Sequence, residues 1–121
     1  MPFDPGQPPQ RYLRFTQRYP ELFEAYERLG SRLREAGPLD AKTLRLTKLA
    51  MAIGARLKGA VFAHARLAVS EGCSPEEVRH TAVLALSTLG LPHMMAALSW
   101  VDEVLDNLES QSLEGTSSDS P

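Results

Sequence analysis

With 121 residues, 43% of them hydrophobic, and a formal net charge of −2, the chain can build one modest core but lacks the concentrated basic face that a nucleic-acid partner requires. Its start, MPFDPGQPPQ, has neither a basic nor an apolar leader segment, and no apolar run reaches the roughly 18 residues of a membrane span, so the expectation is a cytoplasmic protein without membrane partners. The one cysteine, Cys73, excludes an internal disulfide and leaves stability to packing within or between chains.

Residues 1–9 carry four prolines and a glycine and read as an extended arm. Residues 10–109 read as a single helical domain. Gln10 to Tyr19 forms a short helix ended by the following proline. Pro20 then takes the first position of an amphipathic helix, with Leu22, Tyr26, Leu29 and Leu33 at helical spacing until Gly37-Pro38. Asp40 is an N-cap, with Leu39 and Leu44 placed as a hydrophobic staple. From Leu46 to Ala68 the apolar positions follow one 3.6-residue face. One long helix and two helices broken near Gly54 and Gly59 both fit, because interior glycine costs about 1 kcal/mol relative to alanine.

Gly72-Cys73-Ser74-Pro75-Glu76-Glu77 is the clearest punctuation. Glycine ends one helix, Ser74 caps the next, Pro75 takes N1 and Glu77 completes a capping box. The helix from Pro75 to Leu89 is apolar around most of its circumference, which a small monomer cannot cover and a homo-oligomer can. Gly90-Leu91-Pro92 precedes a last helix striped by Met94, Ala97, Leu98, Val101, Leu105 and Leu108. Residues 110–121 are serine-rich with little to bury and read as a disordered tail.

His64 lies on the inward stripe. With a pKa near neutrality it can act as general acid or base, and it can equally be a core histidine bonded to a backbone carbonyl. On a continuous helix Glu71 would face the same way and orient the ring. Arg45, Arg56 and Lys58 are the nearest cations and either hold an anionic ligand or form a solvated flank. His80 reads as a surface or interface group, and His93 follows Pro92 at a helix start. The three histidines sit on separate elements without metal-ligand spacing, so no metal is expected. Cys73, before an N-cap, is placed to pack on Val78 as a staple.

The segments GARLKGAVFAHARLAVSEG (Gly54 to Gly72), SPEEVRHTA (Ser74 to Ala82), TLGLP (Thr88 to Pro92) and AALSWVD (Ala96 to Asp102) resemble, in order, the carboxymuconolactone decarboxylase family, which shares its fold with the alkylhydroperoxidase D-like proteins. The resemblance covers roughly residues 39–108. It implies an all-α, five- to six-helix bundle assembled as trimers or hexamers. It also implies one of two activities, decarboxylation of a carboxylated lactone or peroxide reduction by a CxxC pair.

The peroxidase pattern fails residue by residue. Leu57 and Ala60 stand at the cysteine positions and Arg45 at the relay glutamate, while His64 is retained. Thiol peroxidase activity is therefore disfavoured. In the decarboxylase branch the GAV segment usually follows a glutamate, where this chain has Lys58. What the resemblance leaves is a cofactor-free lyase on a small carboxylated lactone or keto acid. His64 would be its acid/base, and Lys58, Arg45 and Arg56 would bind the small anionic substrate. The alternative is a non-catalytic oligomeric member that binds a ligand or serves as a scaffold.

Overall fold

The computed structural model describes residues 9–118, with side chains as far as Leu113. All regular structure among these residues is helical: α1 (Gln10–Arg18), α2 (Pro20–Glu35), α3 (Ala41–Gly54), α4 (Lys58–Ser70), α5 (Pro75–Val83), α6 (Ala85–Leu89) and α7 (Leu91–Ser118). The arm expected over residues 1–9 lies, apart from Pro9, outside the described residues.

Helices α3 to α7 build the core. Helix α3 packs along α4, and α7 crosses α4, α5 and α6. Leu49, Ile53, Val61, Val78, Val101 and Val104 are fully buried there, each contributing about 1.5–3 kcal/mol of transfer free energy. Alanines 52, 65, 68, 82 and 97 are buried beside them, and their small size lets the helix axes approach closely. Helices α1 and α2 form a separate pair. Tyr12 meets Phe23 edge-on, with ring centroids 6.0 Å apart, yet neither helix contributes a buried residue.

The local signals act where their chemistry demands. Asp40 caps α3 by accepting from the Thr43 amide at 2.8 Å. Ser74 and Glu77 form the full capping box of α5, with bonds of 3.1 and 2.8 Å. Gly72, at φ 98°, ends α4 in a left-handed Schellman turn, in which Cys73 N–H returns to Ala68 O and Gly72 N–H to Val69 O. Cys73 is buried in the same core cluster as Val78, the arrangement expected of a staple.

Of the two ways to read residues 41 to 71, the break is the one adopted. Helix α3 ends in a second Schellman turn, with Leu57 N–H on Ala52 O and Arg56 N–H on Ile53 O. Its left-handed position, φ 57°, is held by Arg56 and not by a glycine, at a cost of about 1–2 kcal/mol. The chain then folds back, so that α4 packs on α3.

Two boundaries differ from the sequence reading. The stretch from Pro75 to Leu89 is interrupted at Leu84, between α5 and α6, although no glycine or proline stands there. Residues 110–118, expected within a disordered tail, continue α7 as helix. Gln111 Nε2 donates to Asn107 Oδ1 one turn back at 3.0 Å, and Leu113 joins Leu108 along a groove on α7.

Candidate functional site

The fold-back at residues 55–57 brings α3 and α4 side by side and gives His64 its surroundings. A cavity of about 540 Å³ opens between α2, α3 and α4, with Pro9 and Tyr12 at its edge. Helix α4 supplies Ala60, Ala63, His64, Arg66 and Leu67, and α3 supplies Arg45 and Lys48. Helix α2 closes the far wall with Tyr26, Glu27, Leu29, Gly30, Leu33 and Arg34. Among the described residues, four cations and one carboxylate therefore line the space.

His64 is half-buried, and its Nδ1 is a buried polar atom without a hydrogen-bond partner among the described residues. Buried N–H groups are rarely left orphaned. The favoured neutral tautomer thus carries its proton on Nε2 and leaves Nδ1 as a bare acceptor. Burial pushes the imidazole pKa below its ordinary 6.5, and the charges of Lys48 and then Arg45 push it the same way. The ring is consequently neutral at physiological pH, and its protonated form is a stronger acid than free imidazolium.

The four residues singled out in the sequence do not form one group. His64 and Arg45 share the cavity. Arg56 lies elsewhere: its Nε donates to His93 Nδ1 at 3.2 Å, and His93 Nε2 in turn donates to Ile53 O at 2.6 Å. His93 is 7% exposed, and these two bonds use both ring nitrogens and anchor the left-handed Arg56 to the start of α7. Lys58, at the first position of α4, is exposed and places Nζ 5.6 Å from the Phe62 ring centroid. Neither Arg56 nor Lys58 lines the cavity.

Glu71 likewise does not orient His64. It accepts from Arg45 Nη2 at 3.4 Å, holding that side chain, 12% exposed, against the wall. Lys48, like Arg34 and Arg66, is a lining cation not among those singled out in the sequence. It lies three residues after Arg45, hence on the same helix face, and that spacing was the signal available. Among the described residues it forms no ion pair.

Cys73 offers no redox alternative. It is buried, its thiol is pushed up by burial and by Glu77, and Sγ lies 3.9 Å from Lys42 O. A second cavity, of about 490 Å³, lies between α5 and the latter half of α7. Its arginine, Arg79, is already committed to Asp102 at 2.9 Å and Glu76 at 3.2 Å.

The sequence profile of the carboxymuconolactone decarboxylase family matches residues 20–103. The chain belongs to the carboxymuconolactone decarboxylase family. The match begins at α2 and ends within α7, so the walls contributed by α2, α3 and α4 all fall inside the family region. The structure of a carboxymuconolactone decarboxylase family protein from Legionella pneumophila, in its apo form, superposes with a TM-score of 0.68. The superposition covers 81% of this chain and 88% of that one at 24% identity; this likeness concerns the fold. An uncharacterized protein of Haemophilus influenzae is 41% identical over 49 residues, 40% of this chain. The match spans 43% of that relative's length. The all-α, carboxymuconolactone decarboxylase-like fold expected from the sequence is the one observed.

Proposed function

We propose that this family member is a cofactor-free lyase acting on a small carboxylated lactone or keto acid, with His64 as its acid/base. The observation that carries the reading is a neutral, half-buried His64 in a cavity flanked by Lys48 and Arg45. Loss of carbon dioxide from such an acid breaks a carbon–carbon bond and leaves its electron pair on the remaining fragment as an enolate, which must then be protonated. Lys48 and Arg45 supply the positive field for the substrate carboxylate and for the enolate oxygen. An anion bound beside them offsets their effect on the imidazole, so binding is accompanied by proton uptake at His64. The imidazolium formed in this way protonates the carbanion.

Turnover of carboxylated muconolactones by the wild-type chain and by His64→Ala tests the reading. A large loss in the variant supports it, and equal rates reject it.

A second reading, a non-catalytic oligomer that binds a ligand, is favoured by the exposed apolar faces. Leu22, Tyr26, Leu29 and Leu33 on α2 are each more than half exposed, as are Met51, Leu84, Leu91 and Met95. Both readings take the functional form to be a cytoplasmic homo-oligomer, a trimer or hexamer. Among the described residues no helix is long and apolar enough to cross a membrane.

A further inference from the structure

Helix α1 buries no residue, and its nine residues are too few to hold a helix on propensity alone. Arg11, Arg14 and Arg18 fall at i, i+3 and i+7, which gathers them on one side of the helix. All three are exposed, and among the described residues their side chains form no ion pair. No carboxylate lies between Asp4 and Glu21, so nothing on α1 offsets their mutual repulsion. The aromatic side is turned the other way, toward α2, where Tyr12 meets Phe23. Helix α7 is the complement. No lysine or arginine follows Arg79 in the sequence, and Glu103, Asp106 and Glu109 stand exposed at three-residue steps. Asp102 beside them is taken by Arg79, but among the described residues these three carboxylates form no ion pair. Arg11 to Arg18 spans about 10 Å of helix axis and Glu103 to Glu109 about 9 Å.

From these two stripes, opposite in sign and matched in length, we propose that α1 of one copy docks along α7 of a second copy, with Arg11, Arg14 and Arg18 set against Glu103, Asp106 and Glu109. Every chain offers both stripes, so the contact repeats from copy to copy and closes as a pair or a ring. It neutralises the like charge that each helix carries alone and gives α1 the outer contact it lacks. Its residues are not those of the apolar patch at Leu84 and Met95, and it does not depend on the chemistry of His64. Exposed ion pairs are individually weak and screened by salt, so the contact sets partner and register more than it sets affinity. A phosphate-rich partner would suit the arginines but leave the acidic stripe unanswered. An acidic bilayer would call for a free apolar side on α1, and that side is turned to α2.

Sedimentation velocity of the full chain at about 50 mM and about 500 mM salt tests the contact, which is expected to weaken at the higher value. The triple variant Arg11→Glu, Arg14→Glu, Arg18→Glu and the triple variant Glu103→Arg, Asp106→Arg, Glu109→Arg should each weaken self-association at least about tenfold at low salt. A chain carrying all six changes exchanges the charges without removing them, and its association should return to within about threefold of the wild type. That recovery separates a lost contact from a damaged fold. A wild-type chain that is monomeric at low salt, an association indifferent to salt and to both reversals, or a six-fold variant that does not recover overturns the inference. Binding of the wild type to phosphatidylglycerol vesicles that the arginine variant loses, with sedimentation unchanged, overturns it in favour of an acidic lipid surface.

Discussion

Arg45 Nη2 lies 3.4 Å from Glu71 Oε1, and this pair ties the first half of α3 to the residue that closes α4. It fixes one cation of the cavity wall while tempering its charge. Glu71→Gln is expected to leave the fold intact and to tighten carboxylate binding about two- to fivefold at low salt, with the gain fading as salt screens the site. Titration calorimetry at two ionic strengths checks this, and weaker binding in the variant would show that Glu71 matters for positioning more than for charge.

Lys48 acts on His64 by charge, and burial acts on it more strongly. Lys48→Met is therefore expected to raise the His64 pKa without restoring its ordinary value, because the larger cause remains. The same variant should weaken carboxylate binding about tenfold if the ammonium holds the anion directly. Titration of the imidazole resonances by NMR reads the first effect. A pKa unchanged by removal of Lys48 would contradict this electrostatic picture.

The lowered His64 pKa also has a consequence for stability. Between the unfolded value of 6.5 and the lower folded value, the unfolded chain binds more protons. The contribution of His64 is therefore fully present above pH 6.5 and is lost as the pH falls toward the folded pKa. Denaturation midpoints should decline from pH 7 toward acid, and His64→Gln should flatten that decline. At more acidic pH, protonation of the capping carboxylates Asp40 and Glu77, both held below their ordinary values by hydrogen bonds, removes a further contribution in either protein.

Arg56 and His93 form a structural pair. Arg56→Met removes the bond to His93 Nδ1 but keeps the left-handed backbone, so a loss of about 1–3 kcal/mol in stability is expected. Carboxylate affinity should remain within about twofold, because neither residue touches the cavity. A stability scan paired with one binding isotherm separates this role from the substrate-binding one that the sequence assigned to Arg56.

The features legible in the sequence are those set by neighbours along the chain. The Asp40 cap, the Ser74–Glu77 box, the Gly72 turn and the Cys73 staple all act within a few residues, and each stands where its residue type requires. The site was legible only in part, because its partners come from the fold-back at residues 55–57. That turn is made by Arg56 in a position glycine usually takes, so nothing local decided between one helix and two. With the fold-back, Arg45 turns to Glu71 and Lys48 to the cavity, while Lys58 faces out over Phe62. The wall from α2 was hidden for another reason: Tyr26, Leu29 and Leu33 read as a stripe seeking a core, yet here they line a cavity and remain largely exposed.

That exposure carries its own expectation. Leu84, in the stretch that the sequence marks as too apolar for a monomer, is 61% exposed, and Met95 on α7 is 53% exposed. Leu84→Glu is expected to shift the sedimentation coefficient toward that of a monomer by placing a charge in a subunit interface. A wild-type chain that sediments as a monomer at micromolar concentration would remove the case for an assembly.

The most direct test of the account is the turnover of carboxylated muconolactones and keto acids by the wild-type chain and by His64→Gln, whose side chain keeps polarity without a titratable proton. Carbon dioxide release that falls at least about 100-fold in the variant, with its folding midpoint and carboxylate binding retained, is the result the account predicts. Equal release by both proteins, or none by the wild type on any of these acids, would contradict it.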